Sequence, residues 1–131
     1  MKKIIITGGN GRFSKILKKV FYGKNIFYLK RTEFNILKIR QLENKIKKIK
    51  PDIILHLAAL SRPLSIHEQE VSKSIETNII GTCNLVKLCS KHNIKFVYMS
   101  THYVYPCTKG NYSEQDGLLP SDNYSWSKLG G

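Results

Sequence analysis

The spacing of hydrophobic positions changes character along the chain, and each change marks an element. Lys3–Thr7 (KIIIT) is a continuous β-branched run, the pattern of a strand buried on both faces. It runs into Gly8-Gly9-Asn10-Gly11. Phe13, Ile16, Leu17, Val20 and Phe21 then recur at helical spacing and predict a helix over residues 12–22. Asn25–Leu29 (NIFYL) predicts a second short strand. Ile36, Ile39, Leu42, Ile46 and Ile49 form an apolar stripe with Lys38, Arg40, Lys45, Lys47 and Lys48 mostly off it, an amphipathic helix with a cationic outer face that Pro51 ends. Ile53–Leu57 (IILHL) predicts a third buried strand. After a loop through Pro63, a long helix is expected from about Val71 to His92, with Ile75, Ile79, Cys83, Val86 and Cys89 as its stripe. Lys95–Ser100 (KFVYMS) predicts a fourth strand. Residues 106–123 are turn-rich, and a last helix opens near Tyr124.

Strands alternating with helices of this length imply right-handed crossovers, hence an α/β fold with a Rossmann-type, doubly wound parallel sheet. The expected order of the four strands is 3-2-1-4, the first half of a dinucleotide-binding fold. Residues 1–131 read as one such domain.

Composition narrows the partners. The chain has 131 residues and a formal charge of +13, from 22 Lys+Arg against 9 Asp+Glu. Residues 1–50 hold 15 of those cations and 2 glutamates, while residues 51–131 balance at 7 against 7. The excess is therefore N-terminal. It consists of lysine far more than arginine (18 against 4) and comes with 16 Ile and 9 Asn, a set that A/T-rich codons favour. Arginine's planar fork is what usually reads phosphates and guanines, and no aromatic stacking motif accompanies the lysines, so a nucleic-acid partner is not expected. No apolar run is long enough to span a membrane, and the N-terminal run is too short for a signal peptide. Cys83, Cys89 and Cys107 form no C-x-x-C pair, which suggests reduced thiols and a cytoplasmic location. His56, His67, His92 and His102 show no ligand spacing, so no metal is expected.

Candidate chemistry begins at the glycines. Gly8-x-x-Gly11-x-x-Ser14 joins a buried strand to an amphipathic helix, the context in which backbone N–H groups approach a pyrophosphate at a helix start. Ser14 takes the small position where the helix packs close to the strand. After the second strand a dinucleotide site usually carries an acidic residue for the adenosine ribose. Here stand Lys30 and Arg31, which suit a 2′-phosphate, so NADP(H) is favoured, with NAD(H) the alternative.

Four further pieces follow in order: His56-Leu57-Ala58-Ala59, Asn78-Ile79-Ile80-Gly81-Thr82, Ser100-Thr101-His102-Tyr103-Val104-Tyr105 and Tyr124-Ser125-Trp126-Ser127-Lys128. Together with Thr7–Ser14 they resemble the extended short-chain dehydrogenase/reductase family. Within it the run Tyr112-Ser113-Glu114-Gln115-Asp116, then Pro120, Asn123 and Tyr124, is similar to the nucleotide-sugar reductases of the dTDP-4-dehydrorhamnose reductase type. The resemblance implies NAD(P)H-dependent reduction of a nucleotide-linked keto sugar, with an epimerase, a dehydratase or a non-catalytic dinucleotide-binding remnant as alternatives. It implies that Gly8, Asn10, Gly11, Arg12 and Phe13 meet the cofactor, that Ala58, Ala59 and Leu60 line its middle, and that Thr101, Tyr124 and Lys128 form the catalytic set. Lys128 lies one helical turn beyond Tyr124, so its charge is expected to lower the phenol's pKa and to hold the nicotinamide ribose. Asn78 is implied to help position that lysine.

His102 stands where the subgroup usually has Asp, and the acidic residues it tends to carry around Asn35 and Lys38 are absent. Family members run to roughly twice this length. The reading is thus of an incomplete domain, cut three residues past Lys128. A separate C-terminal half or a homo-oligomer is expected to complete it, and the Tyr–Lys helix is expected to be poorly held.

Overall fold

The computed structural model describes residues 2–131. β1 (Ile4–Thr7), β2 (Ile26–Leu29), β3 (Ile53–His56) and β4 (Lys95–Tyr98) form one parallel sheet, each a strand of the β-branched and aromatic runs seen in the sequence. Ile5 lies opposite Phe27 and Ile54, and Ile54 opposite Phe96, so one residue from each strand points to the same face. α2 (Ile39–Ile49) buries Leu42 and Ile46 on that face, and α5 (Gly81–Lys91) adds Leu85, Leu88 and Cys89. Outside this core the Glu43 carboxylate accepts hydrogen bonds from Lys91 and His92, tying α2 to α5. The hydrogen bond to Lys91, ahead of those to His92 and Lys47, draws the Glu43 carboxyl down to about 2.

The strand order is β2-β1-β3-β4, which corrects the expected 3-2-1-4. The cause lies between β2 and α2. Residues 31–37 turn back instead of adding a strand outside β2, and they drive Phe34 and Ile36 into the core. The turn is closed by side chains: Leu37 N donates to Asn35 Oδ1 at 3.0 Å, Asn35 N to Gln41 Oε1 at 3.0 Å, and Gln41 Nε2 to the Thr32 carbonyl at 3.2 Å. α2 then crosses over β1 and delivers β3 to its free side. The chain thus reverses direction between β1 and β3, and in open α/β sheets ligands bind at such a switch point, outside the carboxyl ends of the strands.

Right-handed crossovers put α1 (Arg12–Leu17) on the face opposite α2 and α5. The helix predicted over 12–22 closes at Leu17, and its apolar residues are not buried: Phe13 is 50% exposed, Ile16 64% and Val20 80%. Helical spacing was the signal, but among the described residues no second layer covers the outer face of α1.

The long helix is an unbroken rod from α4 (Val71–Ser74) through a π-helical stretch, Ile75–Ile80, into α5. Of its expected stripe, Ile75, Cys83 and Val86 turn outward, Ile79 is half-buried and Cys89 alone is buried, while the buried face also carries Ser74, Asn78, Thr82 and Leu85. Wide π turns shift the phase of a helix and recur at functional sites. Here polar residues face inward because each finds a hydrogen-bonding partner. α3 (Ile66–Gln69), a 3₁₀ turn (His102–Val104) and α6 (Asn123–Gly130) close the carboxyl end of the sheet.

Candidate cofactor and catalytic site

The loop after β1 is shaped by close backbone approach. Gly8 has φ +67°, and a Cβ on it would lie 3.0 Å from both Cα and N of Ala58. A Cβ on Gly9 would fall 2.8 Å from the Tyr28 carbonyl carbon, because Gly9 N donates to the Leu29 carbonyl at 2.9 Å. Two adjacent glycines thus press the loop against β2 on one side and the segment after β3 on the other. Ser14 is buried, and its hydroxyl donates to the Gly8 carbonyl at 2.8 Å, bracing loop against helix as glycine or alanine there could not. Gly9 was not singled out from the sequence, although its position beside Gly8 was signal enough.

A cavity of about 290 Å³ opens at the switch point. Gly8, Asn10 and Gly11 form one wall and Ala58, Ala59 and Leu60 the floor. Arg31 lies at its rim; Lys30 does not line it. The opposite wall is Phe34, Asn35, Ile36 and Leu37, with Thr77 beyond. Sequence reasoning missed this wall because it belongs to the turn between β2 and α2, which carries no periodic signal. None of the lining residues is acidic. Just outside, Arg31 and Lys38 flank a shallow concavity with Thr32, Asn35 and Gln41. Arg12 and Phe13 line a second hollow of about 790 Å³ with Arg62 and Leu64, and it shares Gly11, Ala59 and Leu60 with the first. The two form one cleft along the loop.

The chain's last helix comes over the carboxyl end of the sheet beside this cleft. α6 is well held, contrary to expectation. Asp122 Oδ1 accepts from Ser125 N at 2.7 Å and from the Ser125 hydroxyl at 2.6 Å, an N-cap, and Asn123 donates to the Glu68 carboxylate at 2.7 Å. The Tyr98 hydroxyl donates to the Lys128 carbonyl at 3.0 Å. Tertiary contacts stabilise eight residues that would not be helical alone.

Asn78 connects the helix to the cleft floor. Its Oδ1 accepts from Leu60 N at 2.8 Å, while its Nδ2 donates to the Leu60 carbonyl at 2.9 Å and to Ser127 Oγ at 2.8 Å. It lies outside both hollows and holds the neighbour of Lys128 rather than the lysine itself.

Tyr124 is packed between the His67 ring, with centroids 5.0 Å apart, and the edge of the Tyr103 ring at 6.4 Å. Burial raises its pKa, with the Thr101 hydroxyl and the Arg62 charge pulling the other way. This corrects the expected lowering by Lys128. The lysine ammonium is engaged elsewhere: Nζ donates to the Met99 carbonyl at 2.9 Å and sits 4.0 Å from the centre of the Tyr98 ring. Lys128 is only 5% exposed, and burial draws it down to about 8. Thr101 Oγ1 accepts from Tyr103 N at 3.4 Å, starting the 3₁₀ turn, and His102 is exposed.

The family profile described as RmlD substrate binding domain matches residues 1–131. The chain belongs to the RmlD substrate binding domain family. A dTDP-D-glucose 4,6-dehydratase of Dictyostelium discoideum is 33% identical over 99% of this chain and 38% of its own length. A dTDP-4-dehydrorhamnose reductase of Aggregatibacter actinomycetemcomitans is 29% identical over 100% of this chain and 46% of its own. The solved dTDP-4-dehydrorhamnose reductase of Bacillus anthracis, in complex with NADP, superposes with a TM-score of 0.91 at 29% identity, covering 98% of this chain and 47% of that one. The RmlD-family chain described here therefore has the α/β fold of these reductases and spans about half their length or less. Among the described residues no helix is long and apolar enough to cross a membrane.

Proposed function

We propose that residues 1–131 form the dinucleotide-binding and proton-donating half of an NADPH-dependent nucleotide-sugar reductase acting in the cytoplasm. The observation that carries the reading is the meeting, at one sheet end, of a carboxylate-free cavity rimmed by Arg31 with a helix that bears Tyr124 and Lys128 next to Thr101.

The residues suit the group. A carboxylate in the cavity would repel a 2′-phosphate and favour the bare ribose of NAD; Arg31, with Lys38 beside it, does the reverse. Asn10, Gly11 and Arg12 offer backbone and guanidinium donors along the loop, and the Gly8–Ala58 approach keeps side chains out of a narrow cleft. Phe13 borders the second hollow, and Ala58, Ala59 and Leu60 floor the join between the two.

When bound, the reduced nicotinamide supplies a hydride to a ketone carbon, and negative charge grows on the ketone oxygen. Tyr124 supplies the proton. The phenol is protonated at neutral pH, and the Thr101 hydroxyl and the Arg62 charge, which oppose the rise caused by burial, are what favour its giving up the proton. The Thr101 hydroxyl orients the same oxygen, and the Arg62 charge stabilises the phenolate left behind. Lys128, drawn down to about 8, is still mostly charged near neutrality, and its ammonium is held on the Met99 carbonyl beneath the site.

The substrate is a nucleotide-linked keto sugar, and the lobe that selects it belongs to the length of the relatives that this chain does not span. The free edge of β4 and the open face of α1, with Phe13, Ile16, Val97 and Met99 exposed, are the surfaces such a lobe would meet, in this polypeptide or another. The test is NADPH consumption with a dTDP-4-keto sugar once that lobe is supplied. Tyr124→Phe is expected to lower turnover about 10²- to 10⁴-fold with NADPH affinity kept. Unchanged turnover would remove the mechanism, and a dehydrated rather than reduced product would assign the chain to the dehydratases.

A further inference from the structure

Thr7, at the end of β1, has its hydroxyl oxygen occupied by two amides: Leu57 N donates to it at 3.1 Å and Ala58 N at 2.9 Å. Both lone pairs are then used, and the single hydroxyl proton must go to the third neighbour, Nδ1 of His56 at 2.7 Å. Nδ1 is therefore an acceptor and the imidazole proton lies on Nε2, which faces Thr82 Oγ1 at 3.2 Å. The Thr82 hydroxyl in turn donates to the Asn78 carbonyl at 2.7 Å. Every donor in this chain points the same way, from the cleft floor to the helix rod.

We propose that His56 is a positioning residue, a permanently neutral Nε2–H imidazole that sets the distance between the floor of the cleft at Ala58 and the Asn78 junction with α6. Its functional consequence rests on the reading of that cleft as a cofactor site. A second proton on the ring would aim Nδ1–H at an oxygen that already holds two donors and would strand the Thr7 hydroxyl proton. The charged and titratable groups facing the ring are Lys128 on α6 and the Tyr98 phenol on β4, whose ring centre is 5.8 Å from that of His56, and neither favours an imidazolium. Burial first, and the Lys128 charge second, hold His56 down to about 3. The role also accounts for two motif residues that the cofactor reading leaves idle, the histidine of His56-Leu57-Ala58-Ala59 and the threonine that follows Gly81.

The test is nitrogen-15 NMR of the imidazole in the unaltered chain. The proton is expected on Nε2, with no titration between about pH 8 and pH 5, where an ordinary histidine changes charge. Thr82→Val deletes the acceptor of the Nε2–H bond and is expected to shift the Nε2 resonance and speed hydrogen exchange of the Ala58 and Leu60 amides by about tenfold, while Thr82→Ser restores both. A proton on Nδ1, titration within that window, or a Thr82→Val variant with neither change would overturn the proposal. The tautomer measurement needs no variant to fold. None of these readouts involves NADPH, so a chain that shows them yet fails to bind NADPH counts against the cofactor reading alone.

Discussion

Asn78 and Ser127, 49 positions apart in sequence, are joined by a 2.8 Å hydrogen bond from the Asn78 amide to the Ser127 hydroxyl. The same amide holds both polar backbone groups of Leu60, so one side chain fixes the cleft floor and the helix of Tyr124 and Lys128 in a single frame. Asn78→Ala breaks three hydrogen bonds and leaves buried partners unsatisfied. The expected loss is about 2–4 kcal/mol of unfolding free energy, read from denaturant titration, together with faster exchange at the Leu60 amide.

Two glycines separate backbone from side-chain crowding. Gly9→Ala would set a methyl 2.8 Å from the Tyr28 carbonyl carbon and 2.9 Å from its oxygen, atoms fixed in β2. A loss of about 2 kcal/mol or more is expected, with a displaced loop. Gly81→Ala meets the far end of a side chain instead, Ile36 Cδ1 at 2.6 Å. Ile36 Cγ1 is at 2.7 Å as well and the residue is buried, so it must shift within the core; the helix propensity of alanine offsets part of this, and a loss of about 1 kcal/mol, smaller than for Gly9→Ala, is expected. Thermal melts of the two variants compare them directly.

Lys128 gives a pH signature. Its folded pKa of about 8 lies below the ordinary 10.5, so the unfolded chain holds more protons through that interval. Stability contributed by this group therefore rises as pH climbs from 8 to 10.5 and is lowest where the buried lysine is charged in both states. The slope attributable to it is at most about 1.4 kcal/mol per pH unit. Melts of the wild-type chain against Lys128→Met across that range isolate it; parallel curves would show that burial does not depress this lysine.

Arg31 tests cofactor choice. Arg31→Ala is expected to weaken NADPH binding about tenfold or more and to leave NADH nearly unchanged, since only the former carries the 2′-phosphate. Calorimetric titration with each dinucleotide reads the ratio. Equal losses for both would place Arg31 on the shared pyrophosphate instead.

The strands, the glycine loop and the amphipathic α2 were legible because burial leaves a local trace: continuous β-branched runs, a stripe every three to four residues, and glycine where two backbones meet. The Thr101, Tyr124 and Lys128 positions were legible as a motif in order. What the sequence could not settle were relations between distant residues. Strand order turned on the short segment 31–37, where Asn35 and Gln41 close a turn that periodicity does not register. The inward face of the long rod was misjudged because hydrophobicity alone does not identify Asn78 and Thr82 as buried; their partners, Leu60, Ser127 and His56, lie far along the chain or on other elements. The effect of Lys128 on Tyr124 was misjudged for the same reason, since spacing gives proximity along a helix but not the Met99 carbonyl that claims the ammonium. Sequence determined which elements form and which residues are candidates for the chemistry. Tertiary structure decided which of them share a hydrogen bond, because desolvation and pairing depend on neighbours that only the folded chain brings together.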